Sequence, residues 1–498
     1  MHPGANPLME TRMPSSPDVP EKTQGPSGPG RFGLWLGPAL LLATLILPPP
    51  AGMSEAAWAC VGLALLMATW WSTEAVPIPV TSLLPMLLVP ALGLGTLGEA
   101  TGSYANPIIY LFLGGFLLGI SMQRWNLHRR LALHVLKLVG HQPRRQIAGF
   151  MIATGFLSMW VSNTATAIMM LPIGMSVISL LGDNSDPDEV KRYATALLLA
   201  IAYSASIGGV ATLIGTPPNA LLAGYLAEDR GIDIGFAQWM IIGLPISIAM
   251  MGAAWWWLTR GGFRLEAGED SAGMVDQELA RLGPMSSAEL RVAIVFSLAA
   301  LAWVVRPLLN DLGLPWLSDT GIAIAAGVVL FLVPSGRGNG ERLMVWEEAQ
   351  KLPWGILLLF GGGLALAGTI TRTGLAEWIA GQLAIFGTFP LLAMIAVVVL
   401  VIIFLTEVTS NTATAAAFLP LLGALALSLD ISPLLVTVPA AIAASCAFMM
   451  PVATPPNAIV FATGHMKIQS MIRAGFALNL ISTVLVTLMA YFLLITLW

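Results

Sequence analysis

Two short polar motifs recur in a chain that is otherwise apolar. "SNTATA" fills 162–167 and 410–415, and "TPPNA" follows at 216–220 and 454–458. Ser162, Asn163 and Thr164, with their counterparts Ser410, Asn411 and Thr412, carry hydroxyl and amide oxygens, which suit a hard cation such as Na+. A side-chain amide also bears N–H donors, so one Asn can meet a cation and an anion at once. Ser or Asn ahead of an Ala-rich run is a helix N-cap signal, so the chain should break at Ser162–Thr164 and restart as helix. Thr216 can cap in the same way, and Pro217 suits a first helical turn, where no backbone donor is needed; Thr454 and Pro455 repeat the arrangement. Four helix N-termini are therefore expected, each with free N–H groups and a dipole that favour anions. No Arg or Lys lies within either motif pair. An anion there would be held by neutral donors and by any cation bound beside it, which ties the two ligands together.

Taken singly, each motif has a plainer explanation. "SNT" in an apolar stretch commonly serves as helix–helix glue, and "TPPN" is commonly a turn. Two copies of both, in the same order, favour a site.

The elements that must hold these motifs are membrane helices. The chain has 498 residues, of which 56% are hydrophobic and 10% charged. Soluble domains carry roughly 25% charged residues, so this surface suits lipid and the protein is polytopic. Spans need about 20 apolar residues, and such segments fall near 33–49, 55–72, 76–95, 106–123, 193–227, 236–259, 289–309, 320–334, 353–371, 432–464 and 469–497. The stretches 146–182 and 389–429 are each long enough for two short helices around a central "SNT". The amphipathic stretches 124–142 and 373–387 precede them and are expected along the interface. Residues 1–32, rich in Pro, Gly and Ser, are expected as a disordered tail rather than a secretory signal, so the first membrane helix should be retained.

An offset of 248 aligns both "SNTATA" copies, Gly114–Gly115 with Gly362–Gly363, Arg124 with Arg372, and Leu127 with Leu375. With a cytoplasmic amino terminus, and 146–182 and 389–429 each returning to its side of entry, every Lys and Arg but Arg230, Arg306 and Arg372 falls on the cytoplasmic side. An odd number of spans then separates the copies, so the second repeat is inverted, and Trp498 lies outside. Inverted repeats place their site at the midplane, on interrupted helices. The fold class is thus an all-α polytopic membrane protein of about 11 transmembrane helices, in two inverted repeats with two re-entrant hairpins and two interrupted helices.

Other residues carry weaker signals. Glu407 is an intramembrane carboxylate with structural and functional readings both open. Glu74 reads as a helix-end anchor, and Trp70–Trp71 and Trp255–Trp257 as interfacial belts. Cys60 and Cys446 read as small core residues. No His accompanies the motif serines, so a nucleophile–base enzyme is not supported, and no metal-ligand spacing or basic cluster suggests a resident metal or nucleic acid.

The paired motifs, with "GTPPN" and "VATPPNAIVF" around the second element of each pair, resemble the divalent anion/sodium symporter family of Na+-dependent dicarboxylate, tricarboxylate and sulfate carriers. The resemblance covers about residues 33–498. It implies a homodimer in the plasma membrane whose protomers combine a scaffold with a transport domain moving like an elevator. On that reading 33–105 are scaffold helices, 106–259 the first repeat, and 260–288 a cytoplasmic linker. Residues 289–352 are scaffold helices of the second repeat, and 353–498 hold its transport part and the last scaffold helix. The family's first sodium site falls on Ser158, Ser162, Asn163 and Gly215, and its second on Thr406, Ser410, Asn411 and Ala453. Substrate carboxylates would meet Ser162, Asn163, Thr164, Ser410, Asn411 and Thr412, with Thr216, Pro217, Thr454 and Pro455 completing the pocket. Na+ is implied as the co-transported ion, with no organic cofactor. The expected activity is Na+-coupled symport of C4-dicarboxylates such as succinate, malate and fumarate. A Na+-independent exchanger, or a sulfate or tricarboxylate carrier on the same fold, is the alternative. Basic replacements at the cation sites, as in exchangers, are absent.

Overall fold

A computed structural model describes residues 28–140, 142–182, 186–265, 270–338, 340–383 and 389–497, and these are helical apart from loops and one isolated β-bridge, Pro334 to Arg342. The chain opens with α1 (Gly28–Ile46) and α2 (Glu55–Thr73), then the short α3 (Ile78–Thr81), α4 (Leu84–Ala91) and α5 (Leu97–Gly102). The first repeat holds α6 (Pro107–Arg124), α7 (Leu127–Val139), α8 (Pro143–Ser158), α9 (Asn163–Gly182), α10 (Pro187–Gly209), α11 (Pro217–Arg230) and α12 (Phe236–Thr259). After α13 (Asp270–Leu282), α14 (Ser287–Asp311), α15 (Asp319–Leu332) and the short α16 (Trp346–Ala349), the second repeat runs in the same order. Its members are α17 (Trp354–Arg372), α18 (Leu375–Leu383), α19 (Leu391–Thr406), α20 (Asn411–Ser428), α21 (Leu434–Ala444), α22 (Pro455–Phe461) and α23 (Ile468–Leu497). Among the described residues, eight helices are long and apolar enough to cross a membrane.

Local chemistry explains most boundaries. Asn106 caps α6 through its side chain and Pro107 fills the first turn; Asp186 and Pro187 do the same for α10. Capping boxes start α5 at Thr96–Glu99 and α14 at Ser286–Glu289. Glu74 ends α2 in a left-handed conformation, as a helix-end residue should.

Three sequence expectations change, and the linker gains an element. The tail was expected through residue 32, but helix begins at Gly28; residues 1–27 lie outside the described ones, as does Trp498. The single span at 76–95 is two short helices, because Pro77, Pro79, Pro85 and Pro90 withdraw backbone donors along it. The linker at 260–288 contains α13, held to α7 by Arg129–Glu278 and by Lys137–Asp276 at 2.7 Å. Trp71 is not an interfacial residue: it is fully buried, and its ring N–H donates to Ser82 Oγ at 3.2 Å.

The interrupted helices form the centre. From Tyr193 to Gly209 almost every residue of α10 is buried, and α21 is buried from Val436 to Ala444. A helix apolar on all sides belongs inside a bundle. By contrast, α14 and α23 bury only 22% and 28% of their spanning windows, so they face outward. Small residues let neighbouring backbones approach. A Cβ at Gly114 would sit 2.5 Å from the Ala323 backbone, and one at the equivalent Gly362 would sit 2.4 Å from Ser82 O. Polar contacts sort into two ends. Arg124–Glu341, Arg130–Glu289 and Trp255–Arg144 O join residues read as cytoplasmic. Trp378–Ala51 O, Asn106–Glu228 and Thr371–Asp229 join residues read as external.

Candidate functional site

Both "SNT" motifs start helices where they were expected to. Helix α8 stops at Ser158 and α9 begins at Asn163; α19 stops at Thr406 and α20 begins at Asn411. Ser162 Oγ accepts from Ala165 N at 3.3 Å, which satisfies one donor of the new helix. The "TPP" motifs stand at the second kind of break. Thr216 and Thr454 occupy the N-cap positions of α11 and α22 with proline next, and Thr454 Oγ1 accepts from Asn457 N at 3.3 Å. The repeats interlock reciprocally: α9 packs on α22, and α20 packs on α11.

In the first repeat, Ser158 Oγ lies 2.6 Å from Asn163 Oδ1 and donates to Ala205 O at 2.6 Å. The Asn163 amide atom facing Ser158 is also 3.1 Å from Ala205 O and 3.2 Å from Gly215 O. Turned with nitrogen inward, the amide donates to these oxygens. Turned with oxygen inward, four oxygens converge, an arrangement that a cation between them would relieve. Thus Ser158, Asn163 and Gly215 come together, with Ala205 as a partner that the motifs did not reveal. The approach depends on Gly209, where a Cβ would lie 2.8 Å from Gly215 O and 2.9 Å from Asn163 Oδ1.

The second repeat rebuilds this cluster from different residues. Thr406 Oγ1 lies 2.7 Å from Asn411 Oδ1 and 2.9 Å from Ala444 O, with one proton to give to either. Thr406 stands where Ser158 does, and Ala444 where Ala205 does. Ala453, the counterpart of Gly215, donates its N–H to Met450 O at 3.2 Å, and among the described residues it makes no hydrogen bond to Asn411. Ser410 precedes Asn411 as its N-cap residue, and Thr412 is buried behind it. Thr164 is half-buried beside Asn163. Thr216 Oγ1 reaches Ser445 Oγ at 3.3 Å, a direct link between the repeats. The Ser206 hydroxyl, which occupies the place of Ser445 in the first repeat, is buried without a partner.

Each broken helix is tied down by side chains whose role the sequence left unassigned. Asn219 Nδ2 donates to Gly209 O, Val210 O and Thr212 O, at 3.2, 3.2 and 2.8 Å. Asn457 Nδ2 donates to Ala447 O and Met450 O, both at 3.1 Å. These are the Asn residues of the two "TPPN" copies, and they occupy carbonyls that the break leaves unpaired. In the first repeat Thr212 Oγ1 also donates to Met159 O at 2.6 Å, joining loop to hairpin. In the second, Glu407 stands where Met159 does and accepts from three successive backbone N–H groups: Phe448 at 2.7 Å, Met449 at 2.9 Å and Met450 at 3.0 Å. Asn479 of α23 donates to the same carboxylate at 2.7 Å. The structure therefore gives Glu407 a latching role.

The two tips differ in their surroundings. Trp160 of the first tip is buried and stacks on Phe236 and Trp303, with ring centroids 5.9 and 6.4 Å away, and meets Phe296 edge-on at 5.0 Å. At the matching place in the second tip, Val408 is 67% exposed. Cys60 and Cys446 are buried free thiols, and Cys446 Sγ donates to Ile442 O at 3.3 Å.

Residues 32–498 match the family model described as the sodium:sulfate symporter transmembrane region. The chain is 44% identical over 476 residues to the sodium-dependent dicarboxylate transporter SdcS of Staphylococcus saprophyticus, covering 93% of this chain and 91% of that protein. It is also 44% identical over 485 residues to the protein of the same name from Staphylococcus aureus strain USA300, covering 95% and 92%. The crystal structure of the Alcanivorax borkumensis YdaH transporter superposes with a TM-score of 0.59, covering 95% of this chain and 99% of that one. At 15% identity, that likeness speaks for the fold alone.

Proposed function

The chain belongs to the sodium:sulfate symporter family, the divalent anion/sodium symporter group its motifs resemble, and within that family of membrane transporters we propose that it imports C4-dicarboxylates together with Na+. The observation that carries the reading is the duplicated oxygen cluster, Ser158–Asn163–Ala205 and Thr406–Asn411–Ala444, in chain segments that contain no fixed positive charge. No Lys or Arg occurs between Arg145 and Lys191, between Arg192 and Arg230, or between Arg372 and Lys467. A doubly charged anion therefore has no side-chain counter-charge on these segments, and bound cations supply it. In each repeat the Asn carbonyl would turn to Na+ and its N–H2 to a substrate carboxylate, so that cation binding orients the anion donors. Ser162, Thr164, Ser410 and Thr412 add hydroxyls, and the starts of α9 and α20 add backbone N–H groups. The name shared by the 44% identical relatives favours a dicarboxylate cargo.

The moving body in this proposal comprises α8–α11 and α19–α23, carried like an elevator past the scaffold of a homodimer. Hairpin 146–182 enters from the cytoplasm, hairpin 389–429 from outside, and the amino terminus is cytoplasmic. The last helix, α23, was expected on the scaffold; its Asn479–Glu407 bond favours placing it with the moving body.

The test is uptake of labelled succinate into proteoliposomes with and without a Na+ gradient. Succinate affinity should fall sharply when choline replaces Na+. Equal affinity in the two salts would overturn symport and favour exchange. The family description names sulfate, so sulfate belongs among the competitors; sulfate displacing succinate at lower concentration than malate does would make it the cargo.

A further inference from the structure

At the end read as cytoplasmic, a groove of about 600 Å³ opens between the start of α10, the end of α12 and the start of α23. Lys191, Arg192, Arg260 and Arg473 line it, with Asp188 as the one acid among the lining residues. Arg192 is already engaged, donating to Glu189 at 2.6 Å and to Gly262 O at 3.0 Å. Lys191, Arg260 and Arg473 are exposed and have no carboxylate within ion-pair distance among the described residues. The Arg260 guanidinium lies 3.4 Å from the centre of the Trp257 ring, which holds it at the groove's rim. Below the charges the wall turns apolar, with Ala196, Leu199, Leu258 and Ala474.

Ordinary cytoplasmic-side cations point into water and need no walls. Three unpaired cations around a concave mouth, a rim tryptophan and an apolar floor match an amphiphile with an anionic head. We propose that this groove binds an anionic phospholipid, its phosphate held by Lys191, Arg260 and Arg473 and its acyl chain laid along α12. Basic pockets between membrane helices on the cytoplasmic side suit such headgroups, and Trp suits the headgroup level. The groove joins α10, which carries Ala205 and Gly209, to α23, which carries Asn479. A bound lipid would brace two elements that shape the oxygen clusters. The binding claim itself stands apart from any transport activity.

The experiment uses full-length protein in detergent, titrated with dioleoylphosphatidylglycerol, dioleoylphosphatidylcholine or inorganic phosphate. Thermal-unfolding midpoint and native mass spectrometry are the readouts. Phosphatidylglycerol should raise the midpoint and remain bound, while phosphatidylcholine and phosphate should do neither. Lys191→Gln, Arg260→Gln and Arg473→Gln should each weaken phosphatidylglycerol about fivefold. Arg145→Gln, an equal charge loss elsewhere on the same side, should leave it unchanged, and Lys191→Arg should bind like the parent. Those two variants separate loss of the site from loss of the fold. Equal effects of the two lipids, or parental binding by all three neutral variants, would overturn the proposal. Phosphate acting as well as phosphatidylglycerol would replace the lipid with a free anion and overturn it too.

Discussion

Replacing Glu407 with Gln tests whether the proposed second cation site depends on its latch. The carboxylate accepts from Phe448, Met449 and Met450 N–H groups and from Asn479 Nδ2, all at 2.7–3.0 Å. An amide keeps one acceptor oxygen and presents its N–H2 to groups that are themselves donors. With that oxygen in the Oε1 place, the Phe448, Met449 and Asn479 bonds survive as neutral ones and the Met450 bond is lost. The lost bond to a charged group contributes about 1.5–3 kcal/mol and the three survivors each lose about 0.5–1 kcal/mol with the charge, so the latch weakens by about 3–6 kcal/mol. The loop after α21 can relax toward water, which places the loss near the lower end, about 3 kcal/mol, or roughly hundredfold in the closing equilibrium. Asn479→Ala removes one bond and should cost about half as much. Because Thr406 precedes Glu407 directly and the loop begins just after Ala444, the defect should appear in Na+ dependence. The Na+ concentration for half-maximal succinate uptake should rise strongly in Glu407→Gln, moderately in Asn479→Ala, and little in Met159→Leu, the equivalent place in the first repeat. Maximal uptake at saturating Na+ should partly survive. A Glu407→Gln protein whose Na+ dependence stays within twofold of the parent would refute the latch argument.

Three other outcomes follow from the geometry. Asn163→Asp and Asn411→Asp should each abolish dicarboxylate uptake while Na+ binding persists, since Asp keeps a cation ligand but sets a negative charge beside the substrate; the Ala variants should weaken both, as parallel Na+-binding and uptake assays would show. Gly209→Ala places a methyl 2.8 Å from Gly215 O and 2.9 Å from Asn163 Oδ1, so it should remove Na+ binding at the first site while dimer elution stays normal; unchanged Na+ titration would exclude Gly215 as a ligand. Butyrate should compete poorly with succinate, having lost one set of charge-assisted bonds worth about 1.5–3 kcal/mol, and competition within a few-fold would contradict recognition by two tips.

The helix breaks could be read from the sequence because their causes are local. A Ser or Asn before an Ala-rich run, and Thr before Pro, announce a helix start wherever they occur, and the repeat at 248 residues repeats the announcement. Their partners could not be read in this way. Asn219 and Asn457 were visible inside "TPPNA", but only the folded loops show that their amides cover carbonyls of the break that follows each half-helix. Glu407 pairs with groups 41 to 72 residues away, and nothing near it in sequence names them. Ala205 and Ala444 act through carbonyls, which every residue has, so no residue type could point to them. Trp71 misled because its neighbours are apolar either way; only the packing of α2 against Ser82 distinguishes core from lipid boundary.

A carrier made of two interchangeable halves could be turned over and remain the same object, and its outward and return strokes would share one rate constant. The rings gathered on Trp160 have no equivalent around Val408, so this molecule differs from its own inversion. Its energy profile along the proposed stroke is therefore skewed, with a deeper well wherever the first tip sits against α14. On that proposal the carrier would dwell longer in that posture, and leaving it would set the slower half of the cycle. Direction of net flow still belongs to the ion gradient. The time spent waiting on each side would belong, in the proposed stroke, to one tryptophan and the wall it rests on.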